Sequence, residues 1–131
     1  MCLRVVFDMI KPAVNALDVR ADGYIWLWKV FDIDEDDNLI AQFNKYSFYE
    51  GKNTAKGKIV KEFDGIKSDT QYEPGFHCFV YEGDAHDWKH TSRNDRGRER
   101  IVVPIKVRKS WITAYGTQSR CDVIVCKHII I

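Results

Sequence analysis

The chain holds only 3 prolines and 8 glycines, and its four cysteines, Cys2, Cys78, Cys121 and Cys126, fall in no framework spacing. So little turn punctuation excludes a collagen-like or low-complexity chain. Cysteines without a spacing pattern argue against a disulfide-stapled secreted scaffold and read as reduced, mostly buried thiols. An excess of one charge is missing too: 20 Lys and Arg stand against 19 Asp and Glu, a net charge of +1. No global field therefore draws the protein to DNA, RNA or an anionic membrane. Apolar runs are only a few residues long, too short for a helix that spans a bilayer. The start, Met1-Cys2-Leu3-Arg4-Val5-Val6-Phe7-Asp8, lacks the basic region, apolar stretch and cleavage site of a signal peptide, so the expected compartment is a cytoplasm. With Met1 removed, Cys2 would be an N-terminal nucleophile; we read it as an ordinary residue of a first strand.

What is present is an ordinary globular mix. The 131 residues are 45% hydrophobic and 30% charged, with 13% aromatic. That is too aromatic for a disordered chain and large enough to bury one core without a staple. No linker or composition shift divides the chain, which reads as a single domain over 1–131.

Tyr24 to Phe31 is the strongest strand, apolar on both faces for most of its length and so expected at the centre of a sheet. Cys2–Phe7, Lys58–Phe63, Phe76–Tyr81, Ile101–Val107, Trp111–Tyr115 and Asp122–Ile131 read as further strands, and Leu39–Tyr49 as the second arm of a hairpin. Pro104 places its strand at an edge or a bulge. Ile10–Leu17 and Ala85 to about Ser92 read as short helices, the second with Asp84 as its N-cap. Strands dominate and no β-α-β rhythm appears. The expectation is α+β: a mostly antiparallel, strongly bent sheet of about seven or eight strands with one or two short helices. The apolar carboxyl end, Val123–Cys126 and Ile129–Ile131, must be buried in the sheet or in a partner chain, which leaves a homodimer open.

Several chemical patterns dissolve on inspection. Asp32, Asp34, Asp36 and Asn38 take EF-hand positions 1, 3, 5 and 7, but Asp37 stands where the loop needs glycine and Phe43 where it needs a bidentate glutamate. The segment reads as a solvated hairpin tip and a negative patch. Gly51 to Ile59 has five residues between its glycines and no hydroxyl for magnesium, so it is a basic turn, not a phosphate loop. His86 and His90 share a helix face and His77 or Cys78 could approach them, yet no zinc spacing supports a site. We read a His-rich helix face, with His77 held by a backbone hydrogen bond, and assign no metal and no cofactor. No nucleophile elbow and no pair of glycosidase acids can be picked out.

Arg93, Arg96, Arg98 and Arg100 crowd one loop, with Lys89, Lys106, Arg108 and Lys109 nearby in sequence. Asp95 and Glu99 dilute the charge, and the segment reads first as a solvated charged loop; with Trp88 and Trp111 it is still the most credible anion-contacting surface, able to grip a nucleotide or nucleic acid by charge and stacking.

A more specific pattern runs Trp28-Lys29-Val30, Tyr49-Glu50-Gly51, Gly75-Phe76-His77-Cys78-Phe79, Asp84-Ala85 with Trp88, Val102–Val107 and Thr113-Ala114-Tyr115-Gly116. It resembles small uncharacterised proteins of bacteriophages and prophages, over about residues 24 to 131. The resemblance implies a phage setting in a host cytoplasm rather than a reaction. More faintly, the order resembles the ADP-ribosyltransferase fold, with Lys29 in the first motif of an NAD site and Gly75, Phe76, His77 and Phe79 in the second. Lys29 stands there in place of His or Arg, His77 in place of Tyr, and no glutamate follows Glu99.

The reading that results is a non-catalytic, phage-type inhibitor. It would occupy a host protein or nucleotide ligand, such as a CRISPR effector or a signalling nucleotide. The contact residues expected are His77, Trp88, Arg98, Arg100, Trp111 and Lys29, since arginines and aromatics dominate such surfaces. Trp26 is expected in the core. The rival is an ADP-ribosyltransferase-like enzyme using NAD.

Overall fold

A computed structural model describes residues 5–6, 17–41, 47–55, 60–61, 71–72, 75–91, 97–118 and 120–131. The strands are β1 (Val5–Val6), β2 (Ile25–Ile33), β3 (Leu39–Ile40), β4 (Lys52–Thr54), β5 (Val60–Lys61), β6 (Gln71–Tyr72), β7 (Phe76–Phe79), β8 (Glu99–Val107), β9 (Ile112–Gln118), β10 (Cys121–Cys126) and β11 (His128–Ile130). One α-helix, α1 (Glu82–Thr91), follows β7, and a 3₁₀ turn, Lys109–Trp111, follows β8. The fold is α+β, and the sheet is antiparallel and open.

The main sheet runs β1-β9-β10-β7-β2-β8-β11-β4, with β3 added to β2. The aromatic strand is central, as its two-sided apolar pattern requires. One edge of β2 pairs with β8 through nine residues, from Ile25↔Val107 to Ile33↔Glu99. The other edge is shared: β7 meets it only at Trp28↔Phe79, and β3 at Asp32↔Ile40 and Ile33↔Leu39. Pro104 lies opposite Trp28 on a strand whose far edge meets β11 only at Lys106, so its missing N–H faces an unpaired stretch among the described residues.

Strand alternation sends side chains to two faces. On one lie Ile25, Leu27, Phe31, Phe76, Cys78, Ile105, Val107, Tyr115, Ile124, Cys126 and Ile129, capped by Phe48. The Phe48 ring packs edge-on against Phe31 at 4.8 Å and lies 5.3 Å from Phe76. On the other lie Val30, Phe79, Ala114, Val123 and Val125, covered by Ala85 and Trp88 of α1. The apolar carboxyl end is thus buried within the sheet: Val123 to Cys126 and Ile129 are fully enclosed. No helix among the described residues is long and apolar enough to cross a membrane.

Local details differ from the sequence expectations. Helix α1 starts at Glu82, not Ala85, so Asp84 lies inside the first turn and complements the helix dipole there. The expected strand to Tyr81 stops at Phe79. The hairpin arm after Asn38 holds to β2 for two residues only; Ser47 and Phe48 then return against Ile40 and Leu39. Trp26 is not in the core. It alternates out of the Ile25–Leu27 face and is only partly covered. The hairpin tip is built by Asp34, whose Oδ1 accepts the N–H groups of Asp36 and Asn38, with Asp37 left-handed at φ 63°. The helix expected over Ile10–Leu17 lies outside the described residues except for Leu17, a bend; most of Cys2–Phe7 and Lys58–Phe63, and Arg93 and Arg96, are outside them too.

Candidate functional site

The structure does not gather the six expected contact residues on one surface. Lys29 points into the main core and is 8% exposed. Its Nζ donates to the His77 carbonyl at 2.9 Å and sits over the rings of Phe31 and Phe48. The reason lies in the topology. β7 and β2 share a single register pair, so the ladder opens just beyond Trp28–Phe79 and the ammonium fills the gap. Burial lowers the Lys29 pKa from 10.5, opposed by the neighbouring Cys78 and Cys126 thiols. Burial, then the hydrogen bond with Cys78, pushes the Cys126 thiol up. Lys29 and His77, the pair that the ADP-ribosyltransferase resemblance puts in an NAD site, do meet, but through a main-chain carbonyl inside the core.

The His77 imidazole is half-buried, and burial, then the charge of Lys29, lowers its pKa to about 3. Trp88 belongs to α1 and packs against the sheet, its ring 6.1 Å from Phe79. Arg100 is buried: its Nε donates to Asp32 Oδ1 at 3.1 Å, and Nη1 reaches the Lys89 carbonyl near the end of α1. Arg98 is near the acidic tip, where its charge adds to the hydrogen bonds from Asn38 and Asp36 that lower the Asp34 pKa. Lys29 and Arg100 therefore hold the fold, with their charged atoms spent on the core, while Trp88 is partly exposed.

Trp111 alone belongs to a different assembly, at the opposite end of β2 and β8. There Tyr24 and Trp26, two residues apart at the start of the strand, lie against Lys106 and Arg108 at the end of β8. Arg20 stands 4.8 Å over the Trp26 ring, and Lys106 lies 5.6 Å from Trp26 and 5.4 Å from Tyr24. Arg108 lies 4.5 Å over Tyr24 and donates to its hydroxyl at 3.1 Å. Tyr24 neighbours Trp111 at 6.3 Å, and Lys52 lies 5.1 Å over the Trp111 ring. His128 meets Trp111 edge-on at 5.4 Å and shares a 2.8 Å hydrogen bond with Thr54 Oγ1. Burial, then Lys52 and Lys127, lowers the His128 pKa, so the ring is neutral near pH 7.

Register fixes the layout. Trp26 is opposite Lys106, Lys106 opposite Ile130, and Ile130 opposite Lys52, so one row crosses four strands on one face. At about 4.8 Å per strand the row spans about 14 Å. Helix α1 packs on the Trp28–Val30 part of this face and leaves the Tyr24–Trp26 part to the cations. Among the described residues Trp26 Nε1 is buried and has no hydrogen-bond partner. The cations placed over its ring can only donate.

The net charge of +1 thus conceals two poles. Arg20, Lys52, Lys106 and Arg108 mark one end of β2, and Asp34, Glu35, Asp36 and Asp37 the other. Sequence reasoning missed Arg20, Tyr24, Lys52 and His128 and put Trp26 in the core. The readable signal was Tyr-x-Trp in one strand and Lys-x-Arg in another, each pair on one face by alternation. Among the described residues no group of three His, Cys, Asp or Glu could hold a metal ion. No family model matches the chain, and no curated protein or solved structure matches it.

Proposed function

We propose that the protein acts by occupying an anionic partner, without turning over a substrate, and that its contact surface is the Tyr24–Trp26–Trp111 face. The carrying observation is the interleaving of rings with Arg20, Lys52, Lys106 and Arg108 on that face. Such a lattice gives charge attraction and flat apolar area together. Among the described residues the amine of Lys29 and the thiols of Cys78 and Cys126 are enclosed in the core, while the Cys121 thiol is partly exposed. The resemblance to small phage and prophage proteins supports a setting in a bacterial host. There, blocking a defence component such as a CRISPR effector or a nucleotide signal is the proposed use.

The test is phage restriction in a bacterial host with a defence system. The wild-type chain relieves restriction, and a folded Lys106→Ala/Arg108→Ala variant does not. Full relief by that variant overturns the assigned surface. Incubation with labelled NAD and host lysate leaves no labelled product; label transfer lost on His77→Ala would replace this reading with the transferase one.

A further inference from the structure

Resting on that reading, we infer that the occupant of the cation–aromatic face is a single-stranded nucleic acid. Tyr24, Trp26 and Trp111 are each partly exposed, and Trp111 also packs against the main core. Each is flanked by at least one cation at 4.5–5.6 Å. A polymer that alternates flat bases with phosphates matches a surface that alternates rings with cations, and stacking needs the bases unpaired. A duplex would offer only its backbone and base edges.

The site is long, not deep. Its row from Trp26 to Lys52 crosses four strands, about 14 Å, which suits several nucleotides of a strand better than one nucleotide. Tyr49, in the loop that leads to β4, is 71% exposed. Buried Asn53 holds the main chain there: its Nδ2 donates to the Tyr49 and Gly51 carbonyls, and its Oδ1 accepts the Tyr49 N–H. The loop is thus fixed with a ring in solvent. Among the described residues the Trp26 indole N–H is an enclosed donor without a partner, beside Arg20 and Lys106.

The test is fluorescence anisotropy of the full chain with a short labelled oligothymidylate and its oligouridylate counterpart. Inorganic polyphosphate, a thymidine mononucleotide and duplex DNA serve as competitors. The oligomer quenches tryptophan emission, outcompetes the mononucleotide and the duplex, and loses affinity about 50-fold between 50 and 200 mM salt, as four phosphate contacts on a single strand require. Trp26→Ala weakens it about tenfold. Lys52→Ala, on the edge strand, weakens it too and keeps the test intact if the tryptophan variant does not fold. Arg98→Ala leaves it unchanged. Preference for DNA or for RNA identifies which strand is the ligand, and either supports the inference. Polyphosphate or duplex competing as well as the oligomer, with tryptophan emission unmoved, overturns the nucleic-acid inference and leaves an anion-binding face standing. An oligomer no better than the mononucleotide overturns the polymer. Binding to none of these probes overturns the inference, while the reading beneath it falls only if the Lys106→Ala/Arg108→Ala variant relieves restriction in full.

Discussion

Asp32 and Arg100 face each other directly across the β2–β8 ladder, joined by a 3.1 Å Nε–Oδ1 contact with both side chains buried. Arg100 also reaches the Lys89 carbonyl, so one guanidinium ties the central strand pair to the last turn of α1. Removing one partner strands the other charge in the interior. Arg100→Ala therefore costs about 3–5 kcal/mol, read as a lower urea midpoint. Arg98→Ala changes stability by about 0.5 kcal/mol or less.

Lys29 gives the protein a basic-side pH dependence. Its pKa is depressed by burial, so below 10.5 the unfolded chain binds more protons at this group than the folded one. Stability from Lys29 then rises as pH climbs from the depressed folded value toward 10.5. Compared with Lys29→Met, the wild type gains up to about 1.4 kcal/mol per pH unit in that window. Urea unfolding of both proteins over pH 7 to 10 measures the difference.

His77 acts on the acid side. Its pKa falls from 6.5 to about 3 in the folded state, through burial first and the Lys29 charge second. Between those values the unfolded chain takes up a proton that the folded chain refuses. Stability is therefore lost as pH drops through 6.5 toward 3. His77→Gln flattens this limb, and Lys29→Met flattens it in part by removing one cause. Thermal unfolding from pH 7 to 4 is the measurement.

Gly75 sets the approach of β7 to β10. A Cβ there would lie 2.6 Å from the Cys126 carbonyl oxygen and 2.7 Å from Val125 Cγ1, a clash with backbone that cannot swing away. Gly75→Ala costs about 1–3 kcal/mol, seen as a lower Tm. Gly83→Ala has no such effect on packing, because its Cβ meets nothing within 4 Å.

The legible parts of the fold were those written locally. The Tyr24–Phe31 run announced a central strand because both of its faces are apolar. The buried carboxyl end followed from its two apolar runs, Val123–Cys126 and Ile129–Ile131. Register was not legible: Trp26 meets Lys106 across 80 residues of chain, and only the fold brings them together. Nor could local sequence place Lys29, whose burial depends on a ladder that opens after one register pair. The arginine cluster misled for the same reason. Arg100 looks like a surface charge until Asp32 is placed opposite it. The start of α1 shifted because Asp84 can favour either a cap or a first turn, and the dipole suits both.

The central claim, that the protein works through the cation–aromatic end of β2 and β8, is tested most directly by mapping NMR chemical-shift changes on the labelled chain during titration with oligothymidylate. Shifts concentrated at Tyr24, Trp26, Lys52, Lys106, Arg108, Trp111 and His128, including the Trp26 indole N–H, are expected. Shifts centred on Trp88, Arg98 and the Asp34–Asp37 tip, with the Trp26 indole unmoved, would contradict it.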